Sequence, residues 1–280
     1  MQVKAKKNLG QHFLRDLGIA RKIADTISPA EAGEGPGSLP VMEIGPGMGV
    51  LTRFLVEAGR DVTAVELDSE SVEYLAREMP GLRVVEGDFL KMDLDALIQG
   101  PMVLIGNYPY NISSQIFFKV LDYKDKIPLV SGMLQKEVAE RICSAPGSKV
   151  YGILSVLLQA WYDCEYLFSV SPGVFSPPPK VTSGVLRLRR NSRTELGVPE
   201  KAFKLVVKTA FGQRRKTLRN SLGPLMGPAN PIMQDSVMAL RPERLGVEDF
   251  IRLTAALPHL TSAAGETGDT PEDTATTSEA

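Results

Sequence analysis

The sequence predicts an α/β fold, in which a mostly parallel β-sheet carries helices on both faces and a small helical domain follows. Short apolar runs alternate with amphipathic stretches over residues 41–188, which is typical of strands joined by helical crossovers. Toward the C-terminus only helical periodicity remains. Hydrophobic residues make up 43% of the 280 residues, enough for a sizeable core. We predict domains at 1–192 and 193–260, then an acidic, disordered tail at 261–280.

Seven strands are predicted from short apolar runs that are bounded by turn residues. They are Val41–Ile44, Val62–Glu66, Leu82–Val85, Met102–Gly106, Leu129–Leu134, Glu165–Val170 and Gly184–Leu188. Helical spacing of apolar residues predicts helices at Leu51–Ala58, Ser71–Glu78, Lys201–Phe211, Arg214–Leu222 and Val247–Ala256. The proline-rich segment Ser171–Pro179 is predicted to be a loop of fixed shape without regular structure, because proline disrupts helices and sheet ladders.

The composition excludes several classes of protein. No stretch reaches the roughly 18 apolar residues of a membrane span, and the lysine-containing N-terminus lacks the apolar core of a signal peptide. The 2 cysteines and 2 histidines are too scattered for a zinc site or a disulfide framework. We therefore expect a cytoplasmic, metal-free protein.

Positive charge is concentrated in three segments of a chain whose net charge is −1. These segments, residues 1–15, 180–193 and 201–222, contain no acidic residue. A single basic segment is typical of a solvated helix face. Three such segments on a near-neutral chain indicate a polyanionic partner, and we interpret them as nucleic-acid contacts.

The segment Asn107-Tyr108-Pro109-Tyr110, at the end of the fourth strand, is typical of a receptor for a planar amino group. The side-chain oxygen of Asn107 and the backbone oxygen of Pro109 can each accept one N–H of an exocyclic amine. The ring of Tyr110 offers a stacking face for the base. The amine lone pair is then free to attack a methyl group, so the predicted catalysis is mostly positioning. A proline-terminated turn is the alternative interpretation.

A ligand pocket is predicted at the carboxyl ends of the first four strands, where the ligands of such sheets bind. The glycine-rich run from Glu43 to Gly49 can form a tight turn close to a ligand. Glu66 ends the second strand and can accept both ribose hydroxyl groups of an adenosine, while Asp88 is placed to accept from the adenine amine. Val50 stands where a dinucleotide-binding loop has its third glycine, which favours S-adenosylmethionine over a nicotinamide dinucleotide.

Together these residues resemble the bacterial small-subunit ribosomal RNA adenine dimethyltransferases, a family often called KsgA or RsmA. The resemblance covers nearly everything from Lys6 to about Leu257. Further matching stretches are Lys6–Leu14, Tyr151–Val156, Val174–Ser183, Phe211–Leu218 and Arg241–Leu245. Two positions depart from the family pattern: Tyr108 stands where an aliphatic residue is more common, and His12 where many relatives have asparagine.

The resemblance implies a Rossmann-like methyltransferase sheet that binds S-adenosylmethionine, with a small helical C-terminal domain. It implies that Phe175 helps to sandwich a flipped adenine opposite Tyr110, in a catalytic site with Asn107 and Pro109. The implied donor contacts are His12, Leu14, Gly45, Glu66, Asp88 and Asn107. The implied RNA contacts are Lys180, Arg214, Arg215, Lys216 and Arg219.

The implied reaction adds two methyl groups to the exocyclic amine of each of two adjacent adenosines near the 3′ end of small-subunit ribosomal RNA. The implied substrate is an immature 30S particle, and the implied enzyme is a monomer without a membrane partner. The alternatives are a large-subunit methyltransferase of the antibiotic-resistance type, an RNA-binding assembly factor, and a DNA adenine or glutamine methyltransferase. Gly45-Pro46-Gly47 and Gln213–Lys216 favour the small-subunit enzyme, and the C-terminal resemblance disfavours the DNA or glutamine enzyme.

Overall fold

The computed structural model of the protein describes residues 3, 5–6, 9–32 and 38–257. The predicted acidic tail and the last residues of the predicted helical domain lie outside this described part of the chain.

A seven-stranded sheet forms the centre of the fold. The strands of the structure are β1 (Phe13–Leu14), β2 (Val41–Ile44), β3 (Val62–Glu66), β4 (Arg83–Glu86), β5 (Val103–Asn107), β6 (Leu129–Gln135), β7 (Tyr162–Val170), β8 (Phe175–Ser176) and β9 (Ser183–Arg190). The sheet has the order β4-β3-β2-β5-β6-β9-β7; β9 pairs antiparallel with both β6 and β7, and the other pairs of this sheet are parallel. The predicted mostly parallel sheet is confirmed, with small shifts at the strand ends.

Helices cover the sheet and continue beyond it. They are α1 (Leu17–Ala24), α2 (Pro29–Ala32), α3 (Thr52–Glu57), α4 (Ser69–Glu78), α5 (Leu94–Leu97), α6 (Ser113–Asp122), α7 (Lys136–Cys143), α8 (Ile153–Gln159), α9 (Glu200–Gly212), α10 (Leu218–Met226) and α11 (Val247–Ala255). Within the described ranges, no helix has both the length and the apolar character needed to cross a membrane.

Two buried hydrophobic clusters lie on the two faces of the sheet. In β5, Leu104 belongs to one cluster, whereas its neighbours Val103 and Ile105 belong to the other. Successive side chains of a strand point to opposite faces, so this alternation places one cluster on each face. The prediction of helices on both faces is therefore confirmed.

One of these clusters continues from the sheet into the C-terminal helices. Phe211 of α9 stacks on Phe250 of α11 at a ring distance of 5.9 Å, and its ring lies 6.2 Å from that of Tyr151. All three rings belong to the cluster that contains Leu104 of the central strand. The predicted C-terminal helical segment is present, but its boundary near residue 193 stays a prediction because the core is continuous across it.

The predicted helix at Arg214–Leu222 is wrong at its start. Helix α10 begins at Leu218, since the preceding Thr217 has an extended backbone with φ −70° and ψ 158°. The basic run from Arg214 to Lys216 therefore lies in the turn between α9 and α10. Leu218 and Leu222 are fully buried on the inner face of α10. The helix therefore begins at the first buried leucine and not at the basic run.

The prediction that the proline-rich segment lacks regular structure is also wrong. It contains a 3-10 turn at Pro172–Val174 and the short strand β8. Strand β8 pairs antiparallel with β1, with Phe13 opposite Ser176 and Leu14 opposite Phe175. The two residues of β8 can pair because neither is a proline, and proline is tolerated at the first position of a helical turn. We call this pair of strands the β1–β8 ribbon.

Candidate active site

A cleft lies at the carboxyl ends of the central parallel strands, where the connecting loops of such sheets form ligand sites. It brings together most residues that the sequence predicted for donor binding and catalysis: His12, Gly45, Glu66, Asp88, Asn107, Pro109 and Tyr110. Among the described residues, no group of histidine, cysteine, aspartate and glutamate side chains could hold a metal ion.

Glu66 lies at the end of β3 with its carboxylate held by the backbone. Its Oε2 accepts a hydrogen bond from Gly47 N at 3.0 Å. Its Oε1 accepts from Leu67 N at 2.8 Å and from Asp68 N at 2.9 Å. Burial raises the pKa of Glu66, and these backbone hydrogen bonds act against that rise. The carboxylate is thus an oriented acceptor, which suits two neighbouring hydroxyl groups of a ribose.

Asp88 lies at the start of the next loop, and the buried Lys119 bonds to the backbone of that loop. Asp88 Oδ1 accepts from Leu90 N at 3.0 Å and begins a 3-10 turn that contains the buried Phe89. Lys119 Nζ donates to Leu90 O at 3.2 Å and to the carbonyl of Met92, and it lies 5.2 Å from the centre of the Phe89 ring. The sequence analysis missed Lys119, although a lysine on the apolar face of α6 was the available signal.

The orientation of the Asn107 amide is set by the N-terminal segment. Asn107 Nδ2 donates a hydrogen bond of 3.0 Å to the backbone oxygen of His12. This bond uses the nitrogen end of the amide and leaves the oxygen Oδ1 available as an acceptor. The predicted role of Asn107 requires an acceptor, and this is the orientation that supplies one.

The N-terminal segment is itself anchored beside the cleft. Lys6 Nζ forms ion pairs with Asp68 and, at 3.1 Å, with Glu70. Gln11 Nε2 donates to the buried carboxylate of Asp68 at 3.3 Å. His12 Nδ1 is 2.9 Å from the backbone oxygen of Pro177. These contacts hold the segment between the end of β3 and the loop that follows the β1–β8 ribbon.

Tyr108 is a buried support of the catalytic segment. Its hydroxyl donates to Ser131 O at 2.7 Å, and its backbone N–H donates to Met133 O at 2.8 Å. Gly132 leaves room for the ring, because a Cβ at that position would lie 2.7 Å from a ring carbon of Tyr108. The departure from an aliphatic residue at position 108 therefore adds a hydrogen bond beneath the cleft and an aromatic part of its lining.

Tyr110 presents its ring at the rim of the cleft. Its hydroxyl lies 2.5 Å from Ser183 Oγ, and its ring centre lies 5.4 Å from that of His12. Burial raises the pKa of Tyr110, while the hydrogen bond with Ser183 acts in the opposite direction. The phenol is therefore protonated at neutral pH, which suits a stacking surface and not a general base.

Phe175 and Leu14 lie beside the cleft and not in its lining. Each has an exposed fraction of 4%, and the two residues pair across the β1–β8 ribbon in one hydrophobic cluster. Leu14 lines a smaller chamber next to the glycine-rich turn. The role of Phe175 as a partner of Tyr110 stays a prediction, since the Phe175 ring is buried in this structure.

The glycine-rich turn and a buried carboxyl group form the side of the site next to β2. Gly47 has a left-handed backbone with φ +56°, and a Cβ there would lie 2.9 Å from the ring of Phe13. Glu43 lines the same smaller chamber, with an exposed fraction of 1%. Its Oε2 has no hydrogen-bond partner among the residues that the structure describes. Burial raises the pKa of Glu43 to about 8, the side-chain hydroxyl of Thr52 acts against that rise, and the nearby charge of Glu66 adds to it.

These groups fit S-adenosylmethionine. The Oε2 atom of Glu43, which has no hydrogen-bond partner among the described residues, suits a cationic ligand, and this donor carries both an ammonium and a sulfonium group. The glycines at 45 and 47 let a ligand approach the backbone, as the sequence predicted. The chamber, Glu66 and Asp88 follow one another along the ends of β2, β3 and β4, in the order required for one extended ligand.

The predicted RNA contacts do not form one group. Arg214 Nη2 donates to the carbonyl of Lys149, and Arg219 Nη1 donates to Met233 O at 2.6 Å. Arg214 therefore joins the turn before α10 to the loop before α8, and Arg219 joins α10 to the 3-10 turn at Pro231–Gln234. Arg215 and Lys216 are exposed in the turn between α9 and α10, and Lys180 is exposed after the proline-rich segment.

Comparison with known proteins identifies close relatives of this chain. The model of the family "Ribosomal RNA adenine dimethylase" matches residues 2–248. The chain is 62% identical over 267 residues to ribosomal RNA small subunit methyltransferase A of Parabacteroides distasonis, covering 94% of this chain and 98% of the relative. It is 57% identical over 270 residues to the protein of that name from Bacteroides thetaiotaomicron, covering 95% and 99%.

Two solved structures share the fold over most of their length. A dimethyladenosine transferase from Plasmodium falciparum superposes with a TM-score of 0.71 at 25% identity, covering 86% of this chain and 96% of that one. The 23S rRNA methyltransferase ErmE superposes with a TM-score of 0.61 at 28% identity, covering 88% and 99%. With a family match over most of its length and relatives of such high identity, the chain belongs to the ribosomal RNA adenine dimethylase family.

Proposed function

We propose that the protein dimethylates the exocyclic amine of two adjacent adenosines near the 3′ end of small-subunit ribosomal RNA, with S-adenosylmethionine as the methyl donor. The observation that carries this proposal is the amide of Asn107 in the cleft lining, whose nitrogen end donates to His12 O and whose oxygen end is left available as an acceptor. The same cleft contains Glu66 and Asp88, which suit the ribose and the adenine of the donor. Relatives of 57–62% identity are named small-subunit methyltransferases, which supports the choice of RNA.

In this proposal the chain acts on the donor by binding and orienting it. The carboxylate of Glu66 accepts the two ribose hydroxyl groups, and that of Asp88 accepts the adenine amine. Glu43 lies nearest to the positively charged end. When bound, the donor supplies an electrophilic methyl group on a positively charged sulfur.

The chain acts on the RNA base mainly by positioning its amine. Asn107 Oδ1 and Pro109 O each accept one N–H, and the ring of Tyr110 stacks on the base. The nitrogen lone pair forms the new N–C bond as the C–S bond breaks, and S-adenosylhomocysteine leaves. A proton of the amine then passes to water. A monomethylated amine keeps one N–H, so in the second transfer it uses only one of the two acceptors.

The large-subunit alternative is less well supported. The 23S rRNA methyltransferase ErmE shares 28% identity with this chain, against 57–62% for the two small-subunit relatives. Both kinds of enzyme need the same acceptors for an adenine amine, so the site geometry suits either. The preference for the small subunit therefore depends on sequence similarity.

The proposal also concerns the form of the substrate and of the protein. We propose that the RNA is modified within an immature 30S particle in the cytoplasm, where a hairpin base must be unstacked at a cost of a few kcal/mol. Contacts to the RNA backbone offset that cost. We further propose that the protein acts as a monomer, which sedimentation at the concentration of the activity assay tests.

Transfer of labelled methyl groups to 30S particles that lack the modification tests the proposed function. We expect label in N6,N6-dimethyladenosine at two adjacent positions after nuclease digestion. The controls are 50S particles and protein-free small-subunit RNA, and we expect less label in both. Label in 50S particles and not in 30S particles would establish the large-subunit alternative. Label in neither particle would refute the proposed activity.

The exposed pair Arg215 and Lys216 is proposed to bind RNA phosphates, with Lys180 on the catalytic rim. Replacing Arg215 and Lys216 together by alanine should weaken particle binding and reduce the log–log dependence on salt by roughly one to two units. The measurement is the dissociation constant for 30S particles over a range of salt concentrations. Donor binding should not change, because neither side chain lines the cleft.

The matched control replaces Arg77 and Arg83 by alanine. These two exposed arginines lie on α4 and β4, at the opposite edge of the sheet from β7. The control pair removes the same charge and should leave the salt dependence unchanged. If both pairs changed it equally, the effect would come from net charge and not from a contact at the turn.

A further inference from the structure

We propose that Ser183 is a positioning residue for methyl transfer, which holds the ring of Tyr110 at the angle at which the substrate base stacks. The inference rests on the proposed function, in which Tyr110 is the stacking surface. Its basis is a direct hydrogen bond between the two side chains, with Tyr110 Oη and Ser183 Oγ 2.5 Å apart.

The backbone of Ser183 is held by the sheet, so its hydroxyl group is a fixed hydrogen-bond partner for the Tyr110 ring. It is fully buried at the first position of β9. In the ladder it lies opposite Gln135 of β6 on one side and opposite Val170 of β7 on the other. The backbone oxygen of the preceding Thr182 accepts from Lys136 N at 3.0 Å. Ser183 is paired with a strand on each side, which restrains its backbone, so its hydroxyl oxygen is a fixed partner.

Tyr110 needs such a partner because its segment leaves the sheet at Asn107. The torsion angle between an aromatic ring and its Cβ has broad minima, so backbone position alone does not set the plane of the ring. The bond to Ser183 restrains the far end of the ring. The His12 ring, at 5.4 Å and inclined by 34°, limits its motion on one side. Because the phenol oxygen lies on the axis of this torsion, the bond to Ser183 fixes the position of the ring end, and the His12 ring limits rotation about the axis; together the two contacts define one position and one plane for stacking.

Ser183 also connects the two proposed walls of the base pocket. It lies four positions after Pro179, the last residue of the proline-rich segment that carries Phe175, and Phe175 lies opposite Leu14 in the β1–β8 ribbon. His12, next to that ribbon, contacts both Tyr110 and the Pro177 carbonyl. The bond between Tyr110 and Ser183 thus joins the loop after β5 to the start of β9, shortly after this segment. Loss of this hydrogen bond should misalign the stacked base. It should not affect the donor, whose proposed site lies at the ends of β2, β3 and β4.

The test is a double-mutant cycle made of Ser183→Ala, Tyr110→Phe and the double variant in the full-length protein. Each single variant removes the same hydrogen bond, and Tyr110→Phe keeps both the ring and Ser183. With 30S particles as substrate, we expect kcat to fall by about 3- to 10-fold in each single variant, as for one neutral hydrogen bond. We expect no further fall in the double variant, because the bond is already absent.

Two further readouts separate positioning from a loss of stability. The dissociation constant for S-adenosylmethionine should equal that of the unmodified protein, and the effect should appear in kcat more than in KM. Ser155→Ala is the matched control, because Ser155 is also fully buried and bonds to Gly152 N and Arg141 O, away from the cleft. It should lower the melting temperature by a similar amount without lowering kcat.

Four other results would contradict either the role of Ser183 or the proposed function. Wild-type kcat in Ser183→Ala overturns the inference, and so do single effects that multiply in the double variant. A fall in kcat of the same size in Ser155→Ala would show that only stability is involved. If the unmodified protein itself transferred no methyl groups to 30S particles, the proposed function would fail and not the role of Ser183 alone.

Discussion

Replacing Asn107 with alanine is expected to lower turnover by about 30- to 1,000-fold while the fold remains intact. The change removes Oδ1, one of the two acceptors that align the amine, and this loss should cost roughly 2–4 kcal/mol at the transition state. It also removes the hydrogen bond from Nδ2 to His12 O, which should cost only about 1 kcal/mol of stability. The measurement is single-turnover methyl transfer from labelled donor to 30S particles.

The control for this variant is Asn191→Ala. Asn191 Oδ1 accepts one hydrogen bond, from Arg193 N at 3.0 Å, in a loop away from the cleft. The control variant therefore also loses one hydrogen bond between an asparagine side chain and the backbone, and it should keep its activity. Calorimetry with S-adenosylmethionine shows how far Asn107 also contacts the donor. Turnover close to that of the unmodified protein in Asn107→Ala would contradict the catalytic role.

Replacing Glu66 with alanine is expected to raise the dissociation constant for S-adenosylmethionine by about 30- to 1,000-fold. One or two hydrogen bonds from ribose hydroxyl groups to a carboxylate contribute roughly 2–4 kcal/mol together. The change also leaves the N–H groups of Gly47, Leu67 and Asp68 without their present acceptor, which should lower the melting temperature of the free protein. Isothermal calorimetry measures the binding directly.

Glu86→Ala is the matched control for Glu66→Ala. Glu86 ends β4 directly opposite Glu66 in the ladder, but its carboxylate accepts from Ser69 Oγ at 2.5 Å and does not line the cleft. This variant should bind the donor as tightly as the unmodified protein. If Glu66→Ala also bound with unchanged affinity, Glu66 would be an ordinary carboxylate at a strand end and the donor site would lie elsewhere.

Most of the elements that carry the candidate site are local features of the sequence. A parallel strand buried on both faces needs a continuous apolar run, so β2, β3 and β5 could be predicted from short windows. The glycine-rich turn and the segment from Asn107 to Tyr110 directly follow such strands. In a parallel sheet the ends of these strands meet at one edge, which is why Glu66 and Asn107 were predicted in one cleft.

Local patterns were less informative where burial or pairing decided the structure. The basic run from Arg214 to Lys216 has helical spacing with Leu218 and Leu222, but only the leucines are buried, and α10 starts with them. Strand β8 was missed because two residues carry no detectable periodicity. Its pairing with β1 joins residues that are far apart in the sequence, and a short window contains no information about such a partner.

The sequence by itself determined the order of strands and helices, the glycine-rich turn and the chemical identity of the acceptors at the strand ends. The tertiary structure decided how those acceptors are held. The bond from Asn107 to the His12 carbonyl spans 95 positions, and the bond from Tyr110 to Ser183 spans 73. The first bond depends on where the N-terminal segment crosses the cleft. The second depends on which strands become neighbours in the sheet. The physical reason is that periodicity reports which face of an element is buried, whereas side-chain orientation depends on partners that only the packed chain brings together.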